Sequence, residues 1–557
     1  MKMRKLLTCV MALVISLSAF TGCIIAPGEQ VNKDQSQLNV GIFLAGLGTK
    51  WLEEAKEDFE AYYAETSFEE GKKGVQIIID PRTEEFKPSN LVTTMPYNEN
   101  AIYFLDQADY SLYRANDLLE DLTATVNEKI YDEDGNFAKD TGKPAVNSIV
   151  STMNDEFQGR YQEEDGYFAI PYRVNVSGIM YDADLFNQEG YYFYNDKTMG
   201  AKQADIDLGV NGDIGPGPDG VVGTNDDGMP ETWKDFVKLM KQIAEDDYIP
   251  FTWSGGTHYQ RWYAYESIWA NYQGLQDYKP NLSFSGELSD GTVVTEQNYN
   301  STLIDQEGRK AAITVFKDIM SNPKYYSANA MTQSYTAAEF EYIDSISNGK
   351  RIAFFMEGGY WESEAREYFD TAAIIDENLG YGKRDFRLLP IPNFVGDERV
   401  KDQPESTRTE NEVLLGRGAA SLVCIPKTNG AANPELQKQL AKLFLQFVNS
   451  RQQLSKFVAN TGACFRPFSF TATEDELKEY TKFGKNVYKY MEEGSTILSD
   501  LKGEQRQNVT GTTETKWAFY VRYDGKDMGD PATLFNKYPS LSVDQVYTLL
   551  KAELAKC

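Results

Sequence analysis

Between residues 38 and 122 the chain alternates short apolar runs with amphipathic ones, and this alternation restricts the fold more than any other feature. Residues 38–44 (LNVGIFL), 74–79 (GVQIII) and 100–105 (NAIYFL) are strand-length runs. They are nearly continuous in apolar character, as strands buried on both faces are. Gly46-Leu47-Gly48-Thr49 turns the first run into a helix that carries Trp51, Ala55, Phe59 and Tyr62 at helical spacing. The third run is followed by a helical stretch reaching Leu122. Strand, helix, strand, helix with apolar strands specifies an α/β fold with a parallel sheet covered on both faces. Open α/β sheets collect ligands at the carboxyl ends of their strands. That places Thr49 and Lys50 toward a cleft and leaves Trp51 to the helix core. Residues 131–165 are acidic, polar and loop-like.

The next informative stretch, 166–186, reads GYFAIPYRVNVSGIMYDADLF. Tyr167, Ala169, Val174, Val176, Ile179 and Tyr181 keep a two-residue alternation that Pro171 and Gly178 interrupt. Two short strands with a bend follow from this, then a helix capped by Asp182. The bend gathers Tyr172, Arg173 and Asn175. An aromatic face, a cation and an amide in one turn can grip a polar ligand; they also suit an ordinary sheet corner.

Residues 205–228 (DIDLGVNGDIGPGPDGVVGTNDDG) are crowded with Asp, Asn and Gly. Gly215, Gly217 and Gly220 fit a GxGxxG string, but no strand precedes them, two prolines interrupt it, and the acidic setting repels phosphate. Hard oxygen ligands on a flexible loop suit Ca²⁺, with Asp207, Asn211, Asp213, Asp219, Asn225 and Asp227 as candidate ligands. The spacing is not that of an EF-hand, and a solvated Gly/Asp loop is the other reading. No other cofactor is expected.

Thr232 with Asp235 resembles a capping box, and Trp233, Phe236, Val237, Met240 and Ala244 then form one helix face. Residues 251–256 read as a strand end and glycine turn presenting Trp253, followed by a helix over 259–273. His258 is the single histidine. A strand over 351–356 ends in the turn Glu357-Gly358-Gly359-Tyr360-Trp361. Residues 418–426 form an apolar strand, and Asn433-Pro434 opens a helix with a 3.6-residue apolar period. The last clear helix covers 543–554, capped by Ser542 with Gln545.

Lys2, Arg4 and Lys5 precede an apolar run from Leu6 to Phe20 that ends in Thr21-Gly22-Cys23. This looks like a bacterial lipoprotein signal, with residues 1–22 removed, Cys23 lipidated and 23–37 serving as a polar tether to the membrane. The chain carries a net charge of −29. Losing three cations with the signal makes the mature protein more acidic still, which argues against nucleic acid and anionic lipid as partners. The 35 Tyr and 7 Trp suit sugar rings by their flat apolar faces. Cys424 and Cys464 are readable as buried thiols or as a bridge.

Several stretches together resemble one family. Ala169-Ile170-Pro171-Tyr172, Ser177 to Phe186, Pro230 to Phe236, Asn348-Gly349-Lys350 with Glu357 to Trp361, Leu389-Pro390-Ile391-Pro392 and Asn460 to Phe468 are similar to the extracellular solute-binding proteins of carbohydrate ABC importers. That family includes maltose-binding protein. The resemblance implies a two-lobed periplasmic-binding-protein-like fold (type II) with the ligand cleft between lobes. It implies a first lobe over 38–170, a second over 171–416, a return over 417–470 and a helical C-terminal part over 471–557, mainly on the second lobe. It implies a sugar or oligosaccharide ligand, ABC permease partners, a monomer, and a place outside the cytoplasmic membrane. It assigns ligand contacts to Tyr172, Arg173, Asn175, Glu357, Tyr360 and Trp361, the last stacking on sugar, and Trp253 joins them as a ligand candidate by its place on the glycine turn. A secreted glycosidase using an Asp/Glu pair and a surface adhesin are the competing classes. No motif singles out such a pair, His258 has no G-x-S-x-G elbow, and a zinc site wants more His or Cys.

Overall fold

The computed structural model describes residues 31–106, 108–159, 161–207, 213–257, 259–408, 413–417, 421–499 and 514–556. Ser36–Phe43 (β1) leads through Lys50–Tyr62 (α1) to Val75–Arg82 (β2) and Ile102–Leu105 (β3). Asp155–Gln158 (α2) precedes Ile170–Pro171 (β4), and Val174–Asp182 (β5) starts after a two-residue gap. Trp233–Glu245 (α3), Ile249–Trp253 (β6), Tyr259–Gln273 (α4), Tyr335–Asn348 (α5) and Ile352–Gly358 (β7) follow. After them come Trp361–Glu364 (α6), Arg366–Ala373 (α7), Phe386–Leu388 (β8), Val413–Arg417 (β9) and Leu422–Cys424 (β10). Pro434–Val448 (α8), Arg451–Thr461 (α9), Cys464–Phe465 (β11), Lys482–Glu492 (α10), Thr496–Ser499 (β12) and Val543–Leu554 (α11) close the sequence of main elements.

Two sheets form the centres of two lobes. The first has the order β2-β1-β3-β10-β4, with β1 parallel to β2 and β3, and β10 antiparallel to both β3 and β4. The second has the order β6-β7-β5-β9-β12. All nine residues of β5 are buried. One of its edges pairs with β7 and β11, the other with β8 and β9, so four strands hang on it.

The strand-forming residues explain the burial. β1 buries Leu38, Val40 and Ile42, and β7 buries its whole IAFFMEG run, as strands covered on both faces require. Across β1, Trp51 of α1 meets Phe104 and Phe457 edge-on at 5.2 and 5.1 Å between ring centres. Asp182 accepts the Leu185 amide at 3.1 Å and starts the helix Ala183–Glu189, while the Ser542–Gln545 capping box starts α11.

Two segments pass together from one sheet to the other. The β4–β5 segment and the β9–β10 segment are antiparallel neighbours on both sides of the gap, Pro171 opposite Leu422 and Asn175 opposite Arg417. Within the gap the Tyr172 amide donates to the Ser421 carbonyl at 3.2 Å. The lobes are therefore joined by a two-stranded ribbon, and the chain crosses once more between α9, packed on α1, and α10, packed on β8.

Two expectations need correction, and an open alternative between thiols and a bridge is decided. The acidic stretch 131–165 is not simply loop, because short helices occupy it; Ser148 and Ser151 form a capping box at one of them. The expected return to the first lobe over 417–470 ends in β11, which pairs with β5 of the second sheet. Cys424 and Cys464 are separate buried thiols in different sheets, held neutral as burial pushes both up.

Candidate functional site

The carboxyl ends of the parallel strands form a rim on each lobe, and the two rims touch where Gly46, after β1, lies against Glu364. The first lobe contributes Gly46 to Lys50 after β1 and Asp106 after β3. The second contributes Ser254 to Thr257 after β6 and Glu357 to Tyr360 at the end of β7. The ribbon adds Arg173, Asn175 and Ser421.

Arg173 organises this region. Its Nε donates to Asp106 Oδ1 at 2.6 Å and its Nη1 donates to Asn175 Oδ1 at 3.0 Å. Ser421 Oγ donates to the same Asp106 oxygen at 3.3 Å, so one first-lobe carboxylate accepts from both ribbon strands. Burial alone would push the guanidinium down, but Asp106 beside it raises it, and Arg173 stays charged. Asn175 is fully buried and its Nδ2 has no hydrogen-bond partner among the described residues. A Cβ at Gly358 would stand 2.9 Å from that nitrogen, so a glycine there leaves room for the amide.

Around this knot lie acids and a phenol. The Arg173 guanidinium is 6.0 Å from the centre of the Tyr360 ring. Burial, then Tyr263 and Glu357, hold the Tyr360 phenol well above its ordinary value. Glu357 Oε1 accepts the Gly358 amide at 2.8 Å. Glu339, on α5, is fully buried, and no donor among the described residues reaches either of its carboxyl oxygens. Burial, then Glu364 and Glu357, raises it well above the usual carboxylate range, and burial raises Glu364 as well. Glu364 faces the other lobe: a Cβ on Gly46 would lie 2.7 Å from its Oε1.

The sequence-predicted residues divide into two groups. Arg173, Asn175, Glu357 and Tyr360 come together, and Thr49 and Lys50 lie at the end of β1, where the Thr49 hydroxyl donates to Glu53 at 2.6 Å and Lys50 is exposed. Three aromatics are corrected to core positions. Trp361 opens α6 and turns back into the second lobe, where Tyr342, Phe355, Phe369, Phe386 and Phe483 enclose it with no exposed surface. Tyr172 is wedged among Trp51, Phe104 and Phe457. Trp253 is fully buried beside Tyr326, 5.6 Å between ring centres.

The acidic loop is only partly described. Cys23, Asn211 and His258 lie outside the described residues, as does the side chain of Asp207. Asp213 is exposed. Asp219 Oδ1 accepts the Val221 amide at 2.7 Å, Asp227 Oδ2 accepts the Gly223 amide at 2.8 Å, and Asn225 is paired with Asn486. Burial, then Asp219, pushes buried Asp226 up to about 7. Among the described residues no three His, Cys, Asp or Glu side chains converge as a metal site.

Residues 53–454 match the sequence family described as bacterial extracellular solute-binding protein. The chain belongs to that family. Two solved structures share the two-lobed fold of this solute-binding protein. The apo-form of RafE from Streptococcus pneumoniae is 14% identical, with a TM-score of 0.53 over 95% of this chain and 100% of that one. RafE in complex with raffinose is 14% identical, with a TM-score of 0.52 over 94% and 100%. No curated protein sequence matches. Among the described residues no helix of the solute-binding protein is long and apolar enough to cross a membrane.

Sequence reasoning missed Gly46, Asp106, Glu339, Glu364 and Ser421. Asp106 directly follows an apolar strand run, so the rule of strand carboxyl ends would have found it. Glu339 shares the 3.6-period stripe of α5 with Tyr342, Ile343 and Ile346, and an acid on an apolar stripe is itself a signal. Nothing local marks Gly46, Glu364 or Ser421.

Proposed function

We propose that this solute-binding protein captures a sugar or oligosaccharide at the seam and delivers it to an ABC importer, and that a lipid on Cys23 tethers it to the outer face of the membrane. The observation that carries the reading is the junction itself. A guanidinium, an unpartnered amide, a phenol and carboxyl groups are gathered where two strand-end rims meet across a ribbon, in a chain of this family. Arg173, Asn175, Glu357 and Tyr360 are the proposed ligand contacts, with Thr49 and Lys50 on the facing rim. Such groups take sugar hydroxyls by charge-assisted hydrogen bonds. Raffinose bound to RafE supports the solute class. Contacts made from both rims favour the closed state by their differential affinity, and closure is what a permease can recognise. The acidic loop is proposed as a Ca²⁺ site.

The test is titration calorimetry of residues 24–557 against neutral mono- and oligosaccharides, including raffinose. Saturable binding with the sugar recovered intact is expected, and Arg173→Met should weaken it at least tenfold. Heat without saturation for every sugar, or hydrolysis of the sugar, overturns the reading.

A further inference from the structure

Glu364 is where the second lobe meets Gly46 of the first, and it is also half of a carboxyl pair. Glu339 and Glu364 lie within hydrogen-bonding reach of each other, and no N–H or hydroxyl of the described residues donates to Glu339. Two ionised carboxylates offer only acceptors, so a hydrogen bond between them needs one proton. We propose that closure of the two lobes takes up a proton, held between Glu339 and Glu364 beneath Gly46, so that the closed form is favoured in acid and released as pH rises.

The physical reason is burial that changes with closure. Both acids ride on the second lobe, on α5 and α6, so the pair persists when the lobes part. What changes is the contact with Gly46, which lies against Glu364 across the boundary between the lobes and leaves it when the lobes part. Opening lets water reach Glu364, water stabilises its ionised form, and the pair holds its proton less tightly. The closed form then binds more protons than the open form between the two apparent affinities of the pair, and closure is lost as pH climbs through that window.

The surrounding groups do not supply an alternative titration. Tyr335 on α5, Tyr360 between β7 and α6, Tyr368 on α7 and Cys464 on β11 all face the pair and are all raised, so they stay neutral. Arg173 of the ribbon stays charged and steadies an ionised Glu364. Glu357 on β7 adds negative charge that favours the shared proton, and Glu367 on α7 acts on Tyr368. Gly46 brings none. The device acts with no solute bound, and so goes beyond the solute reading.

The experiment is small-angle scattering of the ligand-free protein at fixed ionic strength from pH 5.5 to 8.5. The radius of gyration should grow with pH, with the closed-to-open ratio falling by at most about tenfold per pH unit. Glu339→Gln and Glu364→Gln, whose amides donate without titrating, should flatten the profile while melting no earlier than the parent at any pH in the range. Gly46→Ala should shift the protein toward open at every pH. A wild-type profile that does not change with pH, variants that keep the wild-type slope, or a Gly46→Ala protein as closed as the parent would each overturn the proposal. None of these readouts requires a sugar, so failure of the sugar assignment is separately visible.

Discussion

Arg173 Nε lies 2.6 Å from Asp106 Oδ1, and this pair ties the strand leaving the first lobe to the end of that lobe's central strand. Both side chains are nearly buried, 12% and 5% exposed. The ribbon therefore begins from a fixed point.

Removing one partner strands the other as a buried, unpaired charge, which costs about 3–5 kcal/mol. Asp106→Ala is thus expected to lower the unfolding free energy by about 3 kcal/mol, read from the urea midpoint. Asp106→Asn keeps an acceptor and should lose less. A midpoint for Asp106→Ala equal to the parent would remove the pair from the stability of the hinge.

Neighbours Tyr360 and Trp361 should separate binding from folding. Truncating an enclosed tryptophan costs about 3–5 kcal/mol, so Trp361→Ala should melt early yet bind sugar normally while folded. Tyr360→Phe should melt with the parent and bind more weakly. Calorimetry beside thermal melts would reveal the opposite pattern at once.

A pH prediction follows from Glu362, which has no exposed surface and is pushed by burial to about 7. The folded protein keeps a proton there that the unfolded chain releases above its ordinary 4.5. Stability from this group is present below that value and falls as pH rises toward 7, by about 1.4 kcal/mol per pH unit. Glu362→Gln should become more stable relative to the parent between pH 5 and pH 8. Parallel stability curves for the two proteins would contradict this.

The loop carrying Asp219, Asp226 and Asp227 should respond to charge relief. Asp226→Asn is expected to raise the melting temperature of chelator-treated protein at pH 8, since it removes a buried acid pressed by Asp219. The proposed Ca²⁺ site predicts that millimolar Ca²⁺ raises the parent's melting temperature and raises that of the variant less. Identical melts with Ca²⁺ and with chelator would dispose of the metal.

Much of the α/β framework was legible because periodicity reports burial. The continuous apolar runs at β1 and β7 read directly as buried strands, and Asp182 and Ser542 announced their helices through capping chemistry. The site was legible only where chemistry was unusual for its place, as with Arg173 and Asn175 beside Pro171. Trp361 misled because a tryptophan after a glycine turn can face either way, and only the start of α6 decides which. Gly46 and Glu364 are some three hundred residues apart, and no local pattern encodes a meeting between lobes.

The ribbon formed by the β4–β5 and β9–β10 segments also sets how the molecule can deform. Hydrogen bonds lying in the plane of two paired strands resist shear and splaying within that plane, whereas bending perpendicular to it stretches none of them. The lobes are thus free along one arc and stiff across it, like pages on a flat strap binding. A closing motion is steered toward that arc by the strap itself, before any solute contact is made.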